Sequence, residues 1–319
     1  MATISQIKAL MNAHFNDDQE KFRVISLQIA AHEAKIGHST GAQEIKKLVK
    51  NSPQRKSNIL KMTNKNELTD LQYTNVQFDE LIVSSVLRTR ITRVLEEYRK
   101  RNYLLKNGLK NRSKLLLEGD PGTGKTLTAS VIASELGLPL FNIQLENLIS
   151  KYMGETSVKL KQLFERIYEY KGVYLFDEFD AIGADRGFDN DVGEMRRVLN
   201  SFLQYIEQDD SSSIIIAATN NPKMLDKALF RRFDDVLRYE LPDEGQIKEL
   251  IKMYLHHQAT KDVLSKEVIH EAIGLNHAEI VIACKEALKF SLLEEQMIDK
   301  NQLKSFIKER KVLAMYKGG

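Results

Sequence analysis

Apolar positions recur at helical spacing through the first fifty residues. Ile4, Ile7, Leu10 and Met11 share one face, and Phe22, Ile25, Ile29 and Ala30 share another after Asn16-Asp17, a pair suited to helix capping. A small helical hairpin or bundle is therefore expected over residues 1–50. Between Lys46 and Lys65 the chain carries seven basic residues and no acidic one, with Asn51-Ser52-Pro53 inside the stretch, which reads as a polar, basic linker over 51–69. The pattern changes at Phe78. An arginine-rich helix is predicted over 86–103, and short, wholly apolar runs such as Leu115–Leu117, Val173–Phe176 and Ile214–Ala218 then alternate with amphipathic segments. Runs without polar alternation are the mark of strands buried on both faces, so residues 70–242 predict an α/β layer with a parallel sheet flanked by helices. Past Pro242 the segments 246–256, 265–273, 278–294 and 301–316 all read as helices, with no strand signal, giving an all-helical region over 243–319.

Composition narrows this picture without naming a chemistry. Lys plus Arg is 47 against 44 for Asp plus Glu, a formal charge of +3 in 319 residues, which argues against a uniformly basic nucleic-acid binder. The apolar runs fall far short of a membrane span, and Met1–Ala9 lacks the basic-then-apolar order of a secretory signal, so a cytoplasmic protein without membrane contact is expected. A single cysteine, Cys284, leaves no partner for an intramolecular disulfide and no multi-cysteine metal site. Its helical setting reads as core packing.

The strongest chemical signal follows the Leu115–Leu117 strand. Gly119-Asp120-Pro121-Gly122-Thr123-Gly124-Lys125-Thr126 is a GxxxxGK[ST] loop, and Leu127 opens a helix-forming run to Leu136. Glycines let the backbone wrap a phosphate so that N–H groups and the helix N-terminus face the anion. Lys125 adds charge at the β/γ oxygens, and the Thr126 hydroxyl suits Mg²⁺. A metal-positioning acid is then needed at a neighbouring strand end. Asp177 stands there, 52 residues after Lys125, and the adjacent Glu178 is the candidate base for an attacking water. A third strand ends in Thr219-Asn220. Asn220 is suited to placing that water, although Asn220-Asn221-Pro222 equally suits a turn.

Taken together, Gly-Asp-Pro-Gly-Thr-Gly-Lys-Thr, Leu-Phe-Asp-Glu-Phe-Asp-Ala-Ile, Ala-Ala-Thr-Asn-Asn-Pro and Leu-Asp-Lys-Ala-Leu-Phe-Arg-Arg-Phe-Asp resemble the AAA family, the narrow group within the AAA+ ring ATPases. The resemblance covers about residues 70–310 and is nearest to single-module proteins of the katanin and spastin type and to bacterial stand-alone relatives. It implies a P-loop α/β ATPase subdomain with a C-terminal helical lid, ATP and Mg²⁺ as ligands, and a homo-hexamer. It implies Asn220 as the sensor residue and Arg231 and Arg232 at the arginine-finger positions, where the shorter Leu-Phe-Arg-Arg leaves open which of the two reaches nucleotide. Leu127, Ile82, His277 and Ala278 fall where the family surrounds the nucleotide, His277 replacing the usual glycine of the lid motif.

Lys151-Tyr152-Met153-Gly154 resembles the pore loop of substrate-threading members. An aromatic beside a glycine gives a mobile, sequence-tolerant apolar grip, so a polypeptide substrate is expected, with the N-terminal helices serving substrate or adaptor choice. The bacterial relatives extend the expected partners to an associated protease. The alternative is a nucleic-acid motor or loader, supported by ten Lys or Arg from Arg88 to Lys114 against Glu96 and Glu97. A solvated helix face or a subunit contact explains those charges as well.

Overall fold

The computed structural model describes residues 3–15, 19–51, 68–148, 155–180, 191–225, 227–255 and 258–317. Most of the 51–69 linker and all of Lys151-Tyr152-Met153-Gly154 lie outside them. The N-terminal fifty residues form three helices, α1 (Ile4–Phe15), α2 (Gln19–Lys35) and α3 (Ser39–Asn51), whose inward residues include Ala13, Val24, Ile25 and Ala30.

A six-stranded sheet follows, made of β1 (Thr69–Gln72), β2 (Lys114–Gly119), β3 (Leu140–Ile143), β4 (Val173–Phe176), β5 (Ile214–Thr219) and β6 (Asp235–Tyr239). Its spatial order is β1-β3-β4-β5-β2-β6. The strands β3, β4 and β5 pair in parallel, with Ile143 opposite Phe176 and Phe176 opposite Ala217. Every residue of β4 and β5 is buried, as their unbroken apolar runs require of strands covered on both faces. The edge strand β1, antiparallel to β3, was not signalled by the sequence. Thr-Asp-Leu-Gln alternates half-buried and exposed positions, so only Leu71 among them packs against the core, too weak a pattern to distinguish from linker.

The helix expected over 86–103 divides into α4 (Ser85–Arg99) and α5 (Arg101–Lys106). Its buried stripe, Leu87, Ile91, Val94, Leu95 and Tyr98, stops at Tyr98, and α5 contains no buried residue. Burial therefore holds the first part straight and gives the second no reason to continue it.

The chain continues through α6 (Lys125–Leu136), α7 (Leu145–Leu148), α8 (Glu155–Glu169), α9 (Asp191–Gln208) and α10 (Lys227–Phe230), and two compact units result. One comprises residues 1–80, 91–117 and 126–237, and the other 81–90, 118–125 and 238–319. The first has an aromatic centre: Phe176 and Phe179 both meet Phe202, at 5.1 Å and 4.7 Å between ring centroids, with Phe164 stacked on Tyr205 at 5.2 Å. In the second, α11 (Glu244–Leu255), α12 (Lys266–Ala272), α13 (His277–Glu294) and α14 (Lys300–Lys317) enclose Ile247, Ile251, Val268, Ile280 and Leu303, together with Ile82. Cys284 lies in this core, and burial pushes its thiol pKa up to about 12, leaving it an inert small hydrophobe. Beyond Pro242 the described backbone adds to the expected helices a single β-bridge, Ala259 to Ile298.

Candidate functional site

The phosphate loop adopts the conformation its glycines permit. Gly119, Gly122 and Gly124 have φ of +151°, +74° and +103°, all in the region that side chains avoid. A Cβ on Gly119 would fall 2.4 Å from the Tyr239 carbonyl oxygen, so this position excludes any other residue. The loop leads into α6 (Lys125–Leu136), whose twelve residues carry the N-terminal N–H groups and dipole expected to face an anion. Lys125 is buried, and its Nζ donates to the Gly119 and Asp120 carbonyls at 2.7 Å and 2.9 Å, which holds the ammonium inside the loop curve.

The loop is also fastened at its outer side. Asn276, at the N-cap of α13, accepts the Glu279 N–H at 2.8 Å through its amide oxygen and donates through its amide nitrogen to the Pro121 carbonyl at 3.0 Å. The Ala278 N–H donates to the Gly122 carbonyl at 3.0 Å. In the sequence Asn276 stands inside the lid motif Gly274-Leu275-Asn276-His277-Ala278-Glu279, without a role of its own. Its capping position before the helix was visible, but the second bond, 155 residues away in the chain, was not.

Beside the loop lies a cavity of about 360 Å³ whose walls include Val83, Leu87, Thr123, Tyr239, Leu241 and His277. Ser84, Arg90, Arg238, Glu240, Asp243 and Gln246 also line it, so the walls offer apolar surface for the flat ring of a nucleobase together with many polar groups for its edge. His277 is nine-tenths buried, and neither ring nitrogen meets a hydrogen-bond partner among the described residues. Burial pulls its pKa below the ordinary value, against the opposing pull of Asp243 and the Ile82 backbone. Ile82 itself turns its side chain into the helical core, and its neighbour Val83 is the residue that lines the cavity.

At the strand ends, Thr126 Oγ1 donates to Asp177 Oδ2 at 2.8 Å, and the other carboxylate oxygen accepts the Glu178 N–H at 2.9 Å. A hydroxyl and a carboxylate in contact form the sparse hard-oxygen set that Mg²⁺ uses when phosphates supply the remaining ligands. The donor set therefore fits that ion. Glu178 is exposed and sits at φ +51°, a left-handed conformation costing a non-glycine residue about 1–2 kcal/mol. Phe176 and Phe179 on either side are fully buried, and the Phe179 N–H bonds the Ala218 carbonyl at 2.8 Å, so the strained residue is clamped at both flanks.

Asp180 organises the next strand end. Its Oδ1 accepts from Thr219 Oγ1 at 3.0 Å and from the Asn220 N–H at 3.1 Å, fixing Asn220 through the backbone and leaving its amide to other work. The turn chemistry of Asn220-Asn221-Pro222 is present too, as a short 3-10 helix over Pro222–Met224. Arg232 is ion-paired with Glu207, whereas Arg231 is exposed with no ion pair among the described residues. The Glu118 carboxylate, nearly buried at the end of β2, is paired with Arg238.

Comparison with known proteins agrees with these features. A model of the "ATPase family associated with various cellular activities (AAA)" matches residues 115–241. The chain is 34% identical over 307 residues to the uncharacterized AAA family ATPase y4kL of Sinorhizobium fredii, covering 93% of this chain and 91% of that one. It is 34% identical over 179 residues to the peroxisomal ATPase PEX6 of Saccharomyces cerevisiae, covering 54% of this chain and 17% of that protein. Over 223 residues it is 32% identical to the ATP-dependent zinc metalloprotease FtsH of Rhodothermus marinus, covering 66% of this chain and 32% of that one.

Proposed function

The chain belongs to the AAA family of ATPases, and from that premise we propose that it hydrolyses ATP to ADP and phosphate and uses the cycle to remodel protein substrates. The observation that carries the enzymatic part is the direct contact of Thr126 with Asp177, next in sequence to the buried Lys125.

In this reading the backbone N–H groups of 122–126 and Lys125 bind the phosphates, and the cavity by Val83, Tyr239 and His277 takes the base. Thr126 and Asp177 would hold Mg²⁺, which when bound neutralises phosphate charge. Glu178 accepts a proton from water as the water oxygen bonds to the γ-phosphorus. The bond from that phosphorus to the bridging oxygen breaks, and ADP leaves with the electron pair. Asn220 orients the water. Arg231 is assigned as the guanidinium offered to a neighbouring copy's γ-phosphate, because Arg232 is engaged by Glu207. Such a finger is worth about 10³–10⁵ in rate where measured in NTPases.

The protein-remodelling part draws on the pore-loop pattern Lys151-Tyr152-Met153-Gly154 and on relatives that are a peroxisomal ATPase and an ATP-dependent metalloprotease. A homo-hexameric ring supplies the neighbouring arginine. The test measures phosphate release with and without a tailed fluorescent protein, together with loss of that protein's fluorescence. Turnover with Mg²⁺ and ATP-dependent loss of fluorescence support the reading. Turnover stimulated by DNA but indifferent to unfolded protein would replace it with a nucleic-acid motor.

A further inference from the structure

A second cavity, of about 330 Å³, lies in the α/β unit where α2, the junction of α4 and α5, the turn after α6 and the turn before β4 meet. Four cationic side chains line it, Lys21, Arg99, Arg101 and Lys171, against a single carboxylate, Glu135, which Arg99 contacts at 2.8 Å. These charges are held in place. The Arg101 guanidinium donates to the Tyr98 carbonyl at 3.0 Å and lies over the Tyr98 ring, 4.6 Å from its centre, while Lys171 Nζ stands 5.7 Å from the same centre. Tyr98 is buried, and its hydroxyl donates to the Ser212 carbonyl at 2.8 Å, so its ring is a fixed platform for both cations. Lys21 is delivered by α2, which approaches closely: a Cβ on Gly137, the residue after α6, would stand 3.7 Å from Lys21 Cε and 3.9 Å from Ile25 Cγ1.

The break at Lys100 is what brings two of the four together. Side chains two apart on an unbroken helix are separated by about 200° around its axis, yet Arg99 and Arg101 line one cavity. Like charges that converge repel, and more so where burial limits the shielding by water; Arg101 and Lys171 are half-buried. An anion seated among them converts that repulsion into attraction. We infer that this cavity binds a small ligand carrying a diphosphate group. The planar forks of the two arginines suit phosphate oxygens, and the two lysines add compact point charges. One phosphate, at a charge of about −2, is too small a counterweight for four cations and one carboxylate, so two adjacent phosphates balance the wall better. Walls drawn from several elements around one recess suit a small molecule rather than the continuous backbone of a nucleic acid. None of the lining residues belongs to the phosphate loop or to the cavity beside His277, so this is a separate site. With Lys21 on α2 and the others on the α/β layer, a bound ligand ties the N-terminal helices to that layer.

The probe is inorganic pyrophosphate, titrated calorimetrically into the full-length chain with ADP in excess and no divalent metal, so that the nucleotide site is filled and the probe is not chelated. Pyrophosphate should bind with a stoichiometry near one per chain, and about tenfold or more tightly than orthophosphate. Arg101→Gln with Lys171→Gln should weaken it by about tenfold or more, and Lys21→Gln, at an exposed position of α2, by about threefold or more, with ADP affinity within about twofold of the parent in each. If the double variant loses ADP binding as well, Lys21→Gln alone decides. Absence of pyrophosphate binding in the presence of ADP, or parental binding in Lys21→Gln and in the double variant, overturns the site. Equal affinity for orthophosphate overturns the diphosphate assignment. Tighter binding of a short single-stranded thymidine oligonucleotide that is lost in the same variants overturns the small-ligand reading in favour of nucleic acid.

Discussion

Replacing Asn276 separates two jobs that one side chain performs. Its amide oxygen caps α13 on the Glu279 N–H, and its amide nitrogen holds the Pro121 carbonyl of the phosphate loop. Loss of an N-cap costs about 0.5–2 kcal/mol of stability, and loss of a partly exposed neutral hydrogen bond about 0.5–1.5 kcal/mol. Asn276→Ala removes both and should lower unfolding free energy by about 1–3.5 kcal/mol. Asn276→Ser keeps a capping oxygen but is too short to reach Pro121. Its stability should therefore recover by about the value of the cap, while its loop stays unfastened. If the fastened loop is the binding-competent one, the ordering must be supplied by the ligand in both variants. At about 0.5–1.5 kcal/mol that is roughly a 2- to 12-fold loss of ADP affinity, since 1.4 kcal/mol is tenfold. The assays are urea unfolding and isothermal titration with ADP. Stability restored in Ser with affinity still reduced is the expected pattern. Parental ADP affinity in Asn276→Ala would refute the claim that this bond orders the loop, whatever happened to stability.

Further outcomes follow from the nucleotide site, the pore-loop pattern and the core. Lys125→Ala should abolish measurable ATP binding, whereas Glu178→Gln should bind ATP with parental affinity and lose hydrolysis by at least about 10²; equilibrium binding and phosphate release distinguish them. Tyr152→Ala should retain basal ATPase while losing ATP-driven unfolding of a tailed fluorescent protein, and normal unfolding by that variant would end the threading proposal. His277 is held neutral by burial, its folded pKa below the ordinary 6.5, so the unfolded chain binds more protons as pH falls below that value. Its contribution to stability is present above about pH 6.5 and is lost as pH falls through the window toward the lower folded pKa; urea midpoints from pH 5 to 8 should show a slope that flattens in His277→Gln. Phe202→Ala, at the meeting of Phe176 and Phe179, should cost about 3–5 kcal/mol in chemical unfolding, because the aromatic cluster cannot collapse around the void.

What could be read from the chain depended on whether a residue's role is local. The phosphate loop, the acids after β4 and the helical segments beyond Pro242 are local patterns, and the helices run close to the predicted boundaries, with α13 at His277–Glu294 against 278–294. The break at Lys100 and the strand β1 were not legible, because both depend on what packs against them. Tyr98 is where the core contact of α4 ends, and Leu71 matters only through the strand it joins. Asp180 illustrates the same limit at the site. In sequence it is one more acid after Asp177 and Glu178, and only parallel pairing of β4 with β5 brings Thr219 and Asn220 to its carboxylate.

That arrangement also accounts for the strain at Glu178. A glutamate at φ +51° is unfavourable in a free turn, yet its two neighbours leave no relaxed alternative. Phe176 must stay in β4, opposite Ala217, and Phe179 must enter the aromatic core and bond Ala218, so the backbone has two residues in which to turn from strand to core. Asp177 is held by Thr126 and by the Glu178 N–H, which leaves Glu178 to absorb the left-handed turn. The consequence is chemical as well as geometric. Of two adjacent carboxylates, one is tied into the hydroxyl contact that suits a metal, and the other is exposed with its backbone fixed, the division of labour that metal positioning and proton acceptance require. The cost of about 1–2 kcal/mol is small beside the burial of two phenylalanines, each contributing about 1.5–3 kcal/mol, so the core that makes the sheet also holds the turn at Glu178 in its strained form.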